Sequence, residues 1–268
     1  MINLPENINS LSLKHGFTRS AKYDQAWMFD NSMGPNPLWL MEWLSREVRF
    51  SENMVVLDMG CGKAITSVFL AKEFSCTVFA NDLWISPEEN LGRIEELALR
   101  QKVFPIHSEA HTLPYARDFF DAIICIDAYQ YFGTDDLYLS YFAKFVKPGG
   151  QIGIVFPGWL KKRKGYKHPN DPDGEIASFH TPDWWTEHFK NCPLVTIDKC
   201  DILPNGKAIW FDSAKAKYET INLIGQAKNL PAEKIQQELS FWKGDIDFIE
   251  EDKDDYIGLF RIILRRVR

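Results

Sequence analysis

The 268-residue chain reads as an α/β protein: a doubly wound, mostly parallel sheet with helices on both faces and a helical insertion before its last strand. Two observations lead there. Short apolar runs alternate with segments of helical period from Met54 to Ile202, the order that lays crossover helices over a parallel sheet. After Ile202 the alternation gives way to two consecutive helical segments and one further strand-like run.

The strands are expected at Met54 to Met59, Thr77 to Ala80, Val103 to Ile106, Ala122 to Ile126, Gln151 to Phe156, Val195 to Ile202 and Tyr256 to Val267. Between them, Ala64 to Phe74 carries apolar residues at three- and four-residue steps, as does Pro37 to Val48 ahead of the first strand. Ser86, Pro87 and Glu89 form a helix start: an N-cap, proline at the first position and a reciprocal capping glutamate. Thr134 is expected to cap a helix through Phe145, and Thr181-Pro182-Asp183 to open one through Phe189. Ser213 to Lys228 and Ala232 to Trp242 read as the two helices of the insertion. The organisation is thus a helical arm or cap over 1–49, a core over 50–204, a helical insertion over 205–255 that is placed to lid a pocket, and a last core strand over 256–268.

Composition narrows the function. Aromatics reach 14%, with nine Trp and nineteen Phe, which suits a rich core or an aromatic-lined pocket. The net charge of −6 argues against a general polyanion binder, so no nucleic-acid partner is expected. Cys61, Cys76, Cys125, Cys192 and Cys200 form no CxxC pair, which fits reduced thiols in a cytoplasmic protein, and no metal site is expected. The start shows no signal-peptide pattern, and no apolar run approaches the ~18 residues a transmembrane helix needs.

The stretch Val55 to Ala64 is a strand running into a glycine turn and then a helix. Gly60 and Gly62 let the backbone turn tightly and approach a ligand, and the following helix presents free N–H groups to it. Asp58, at the strand end, can hold a ligand ammonium. A dinucleotide fingerprint would need a third glycine where Ile65 stands. Asp82, just past the second strand, can accept the hydroxyls of a ribose, with Leu83 and Trp84 placed against an adenine face. Three further motifs follow in order: Glu109 to Tyr115, Phe120 to Phe132 and Phe145 to Gly150.

With these five motifs in this order, residues 50–200 resemble the class I S-adenosylmethionine (SAM)-dependent methyltransferases. The likeness is to the small-molecule branch that includes ubiquinone/menaquinone-biosynthesis-like and cyclopropane-fatty-acid-synthase-like enzymes. The resemblance implies a Rossmann-like sheet of seven strands, the last antiparallel, and SAM as cofactor. It implies that the loop of Gly60, Cys61 and Gly62 cradles SAM, although Ala64 stands at the family's last glycine. Asp82 would bind the ribose diol and Leu83 the adenine. Glu109 would reach the adenine amino group, with backbone contacts from Ala110 and His111. Asp127 and Ala128 would face the methionine part and the methyl group. FVKPGG is similar to the family's LKPGG turn, a structural marker.

A sulfonium methyl is already an activated electrophile, so alignment and exclusion of water are the main demands, and a base is needed only if the acceptor must lose a proton. The candidates lie on the loops at the carboxyl ends of the strands. Tyr131 either touches the acceptor or packs under its loop, and His168 or His180 can serve as a base or stand as an ordinary surface or capping histidine. Tyr23 and Trp27 in the arm can close over the cofactor or simply dock. Five basic residues between Trp159 and His168 read as a clamp for an anionic acceptor or as a solvated face. The leading expectation is a small-molecule methyltransferase. The alternatives are a lipid-methylating or cyclopropanating relative and a SAM-binding subunit without turnover.

Overall fold

The computed structural model describes residues 2–162 and 178–267. The central sheet has strands β1 (Val55–Met59), β2 (Thr77–Asp82), β3 (Val103–His107), β4 (Phe120–Ile126), β5 (Val146–Trp159), β6 (Val195–Ile202) and β7 (Ile257–Arg266). Their order is β3-β2-β1-β4-β5-β7-β6, and only the pairings made by β7 are antiparallel. The mostly parallel sheet expected from the alternation is thus present. Chain direction across the sheet reverses between β1 and β4, and such a switch point opens a crevice at the carboxyl ends of the strands.

The strand sequences explain why both faces are covered. In β4 the residues Ala122, Ile124 and Ile126 enter one core, while Ile123 and Cys125 enter the other. Successive side chains of a strand point to opposite faces, so a continuous apolar run needs cover on both. One core is roofed by α4 (Pro37–Leu44) and α5 (Ile65–Phe74), including the fully buried Trp39 and Phe69. The other holds an aromatic cluster in which Tyr129, Phe156, Trp185 and Phe189 meet edge to face or stacked. Caps set the helix starts. Asn36 accepts from the N–H groups of Leu38 and Trp39, and Ser86 forms the reciprocal capping box with Glu89 at the head of α6 (Pro87–Glu96).

Several boundaries differ from the sequence reading. The helix expected from Thr134 is only α7 (Tyr138–Phe142), followed by a 3-10 turn, because the Asp135 side chain takes the N–H of Leu137 and holds the chain in a local turn. Strand β5 begins at Val146 rather than after the Pro-Gly-Gly turn; the turn is absorbed as a register irregularity opposite Phe120 and Ala122. In the insertion, α9 runs from Gly206 to Ala227 and α10 from Ala232 to Glu251, both longer than their periodicity indicated. Gly244 lies inside α10 and faces open space. The arm folds as short helices α1 (Glu6–Asn9) and α2 (Leu11–Lys14), then α3 (Gln25–Asn31), and α9 packs on α3, α10 and β7. Among the described residues no helix is long and apolar enough to cross a membrane.

One charged group ties the roof to the sheet. Arg261 in β7 is 3% exposed and forks onto Asp201 through Nε at 2.7 Å and Nη2 at 2.9 Å. It also donates to the Trp43 carbonyl and lies over the Trp43 ring, 4.3 Å from its centroid. Replacing it by methionine removes these bonds, although the Trp43 carbonyl keeps the Arg46 N–H and Asp201 keeps Lys199 at 3.6 Å, so Arg261→Met is expected to lower the stability by about 1–3 kcal/mol. The measurement is the urea midpoint at unchanged slope; a midpoint equal to that of the parent would show that the fork contributes nothing net.

Candidate active site

The crevice at the β1/β4 switch holds a cavity of about 340 Å³, within the range of small-molecule sites. Its floor is the loop between β1 and α5. Gly60 and Gly62 have φ of +72° and +53°, and Ala64, where the resembled family has glycine, takes the same left-handed region at +61°. Gly60 is required for a second reason: a Cβ there would lie 2.3 Å from the Cβ of Ala128, on the exit loop of β4.

Asp82 shapes this loop from the end of β2. Its Oδ2 accepts from the Gly62 N–H at 2.8 Å, and its Oδ1 accepts from Trp84 and Ile85 at 2.8 and 2.9 Å. The Asn81 carbonyl accepts from the N–H groups of Gly60 and Cys61, and Asn90 donates to the Gly62 carbonyl at 2.9 Å. The carboxylate lines the cavity while already holding three donors, so it meets a ligand preorganised.

Gly60, Cys61, Gly62, Asp82, Leu83, Glu109, Ala110, His111, Asp127, Ala128 and Tyr131 all line this one space. Glu109 is held by His111, whose Nδ1 and backbone N–H each lie 2.7 Å from its oxygens, and these bonds keep the Glu109 carboxyl below the usual range. Asp127 adopts φ of +54°, and its Oδ1 accepts from Gln130 at 2.9 Å. At the mouth the Tyr131 and Trp84 rings lie 5.6 Å apart, beside Phe132.

Asp58 is not on the lining. It is 1% exposed behind the loop, where the hydroxyls of Thr66 and Ser67 each donate to its Oδ2 at 2.5 Å, while Oδ1 is buried without a partner. Burial pushes its carboxyl up to about 6 against the pull of those two hydroxyls. A donor arriving from a ligand ammonium, directly or through water, would satisfy that oxygen.

Other expected residues lie elsewhere. Tyr23 stacks on Phe69 and donates to Glu73 at 3.3 Å, outside the cavity, because the arm docks on α5 rather than over the loop. Trp27 packs into the core and does not reach the lining. His180 stacks on Trp184 with centroids 3.7 Å apart, also outside the lining; burial, together with His188, lowers its pKa. His168 and most of the basic run that contains it fall outside the described residues. The insertion, expected as a lid, contributes no described residue to the lining. The cover is instead the strap from Asn31 to Pro37, with Met33, Gly34 and Pro35 over the loop. A Cβ on Gly34 would lie 2.1 Å from Asp127 Oδ2, so strap and exit loop touch. The Gly-Pro-Asn-Pro run marks a turn in the sequence but says nothing of the surface it covers.

Two outcomes follow from this geometry. Gly60→Val places a branched side chain against Ala128, so ligand binding is expected to be lost while the circular-dichroism spectrum stays native. For Asp58 the folded carboxyl titrates higher than the unfolded one, so the folded state binds more protons between about pH 4 and about pH 6 and this group's contribution to stability falls as pH rises through that window. Asp58→Asn removes that slope. Relative to the parent it is expected to gain up to about 3 kcal/mol between pH ~4 and pH ~7, and parallel stability curves for the two proteins would refute the assignment.

Residues 56–150 match a family model described as a methyltransferase domain. Methyltransferase GfsG of Streptomyces halstedii is 30% identical over 117 residues, which is 43% of this chain and 42% of that protein. The chain therefore spans less than half the length of the curated relatives it matches. Among solved structures, the [4+2]-cyclase SpnF superposes with a TM-score of 0.69 at 13% identity, covering 97% of this chain and 94% of its own. Geranyl diphosphate C-methyltransferase from Streptomyces coelicolor A3(2), solved with Mg2+, geranyl diphosphate and S-adenosyl-L-homocysteine, gives 0.62 at 16% identity, covering 85% of this chain and 77% of its own. At those identities the likeness is one of fold. Over residues 56–150 the chain is thus similar to a methyltransferase domain, and its fold is the one seen in structures of SAM-dependent methyltransferases.

Proposed function

We propose that the protein transfers the methyl group of SAM to a small-molecule acceptor with an apolar body. The observation that carries this reading is convergence: four segments far apart in the chain, at Gly60–Lys63, Asp82–Trp84, Glu109–His111 and Asp127–Ala128, wall one cavity at the switch point. SAM supplies a sulfonium-activated methyl. The residues bind and orient: Asp82 accepts from the ribose, Leu83 and the Glu109–His111 turn hold the adenine, and Asp127 with Ala128 borders the methionine end. The unpaired Oδ1 of Asp58 and the Gly60 cradle suit this cofactor, a cation that needs close backbone approach.

The apolar acceptor is argued from the mouth. Met33, Pro35, Trp84, Tyr131 and Phe132 surround it, and they exclude water better than they hydrogen-bond. One relative is a sterol 24-C-methyltransferase from Debaryomyces hansenii, 26% identical over 137 residues, which favours the same class of acceptor. Among the described residues His111 is the one histidine on the lining, and its Nδ1 is engaged with Glu109, so the reading relies on alignment. The five free cysteines support a reducing, cytoplasmic setting.

Calorimetric titration is expected to show saturable binding of SAM and S-adenosylhomocysteine and none of NAD; NAD binding alone would overturn the reading. Asp82→Ala removes both the ribose acceptor and the bond that shapes the Gly62 loop, and it is expected to weaken SAM binding by at least about tenfold. Tyr131→Ala is expected to raise the acceptor KM while SAM affinity is unchanged. A parallel loss of SAM affinity would place Tyr131 on the cofactor instead.

A further inference from the structure

We propose that Lys63 receives the α-carboxylate of SAM and so fixes which way the cofactor lies in the cavity, an inference that rests on the methyltransferase reading. The described lining residues bring three carboxylates, Asp82, Glu109 and Asp127, and Asp58 adds a fourth just behind the loop. Lys63 carries the one ammonium or guanidinium among those lining residues. SAM has a sulfonium and an ammonium, which suit an acidic wall, and a carboxylate, which does not. A carboxylate leaving water needs a cation or several donors, and placed among like charges it is repelled.

The amine of Lys63 is held in position. It extends from the glycine loop to the last turn of α3 and donates to the Asp30 carbonyl at 3.2 Å, beside the cavity-lining Asn31. Lys217 of α9 donates to the same carbonyl at 3.3 Å and pairs with Glu238 of α10 at 3.3 Å. Burial lowers the Lys63 pKa to about 8, Lys217 and Arg93 acting in the same direction and Glu238 and Asp30 against it. Most of the amine is therefore protonated at neutral pH. An ammonium has three donors and Asp30 takes one, which leaves donors for an incoming carboxylate. With the carboxylate at Lys63, the adenine falls to Glu109–His111 and the methyl is directed between Asp127 and the strap.

The test compares two ligands on the intact protein by calorimetry. S-adenosylhomocysteine has the amino-acid tail; 5′-methylthioadenosine keeps the adenosine and sulfur but lacks it. The parent is expected to prefer S-adenosylhomocysteine. Lys63→Met is expected to lose about tenfold or more of that preference, the scale of a charge-assisted bond, with methylthioadenosine binding unchanged. Lys63→Arg is expected to keep it. Equal weakening of both ligands in Lys63→Met would make Lys63 a strut between loop and arm, and an unchanged ratio would remove it from the ligand; either outcome overturns the proposal. A parent that binds both ligands equally overturns the Lys63 assignment alone. A parent that binds neither ligand overturns the methyltransferase reading, and this inference with it.

Discussion

The carboxylate of Asp82 is the group on which the site depends. Three backbone N–H bonds converge on it, one from the loop after β1 and two from the turn after β2. A single side chain thereby sets the relative position of two loops that belong to different βα units. A nearly buried carboxylate is costly unless its oxygens are satisfied, and here the satisfying groups are the very turns that must be shaped. Folding and preorganisation are therefore one event: the donors that stabilise the charge also aim its remaining acceptor capacity into the cavity.

The cover over this floor is built at one remove. The strap that includes Met33 and Gly34 is anchored at Asn31, whose side chain accepts from Arg93, which in turn bonds Asn90 and through it the Gly62 carbonyl. The insertion acts on the same point from behind, since Lys217 and Lys228 bond Asp30 at the end of α3. Its two helices serve as a buttress for the arm. Trp210 and Trp242 are buried in the larger core, while Phe241 stands exposed.

Much of this was legible in the sequence because it follows from short-range rules. Alternating strand and helix periods place the parallel core, the Ser86–Glu89 box marks a helix head, and Asp58, Gly60, Gly62, Asp82, Glu109 and Asp127 stand where a strand exits toward the cavity. What was not legible depends on long-range contact. The strap has turn chemistry but no sign of its target, since Gly34 touches Asp127 across more than ninety residues. Tyr23 and His180 have suitable chemistry, yet docking of the arm on α5 and stacking on Trp184 take them elsewhere. Helix lengths in the insertion escaped for a related reason: α10 packs along α9 beyond the stretch whose periodicity marks a helix.

The place of β7 in the sheet has a consequence for how the chain is made. Among the described residues strand β6 pairs only with β7, which follows it in the sequence after α9 and α10. During synthesis the strands that wall the cavity can assemble early, from segments that emerge in order. Strand β6 and the far side of β5 then wait through the whole of α9 and α10 for their partner. At ordinary elongation rates of about 5–20 residues per second, that interval lasts several seconds, with two sheet edges unpaired in the nascent polypeptide. The aromatic-rich hairpin that emerges in the meantime has the arm to dock on. The newborn chain is thereby given a folded shoulder beside its open edge before the closing strand leaves the ribosome.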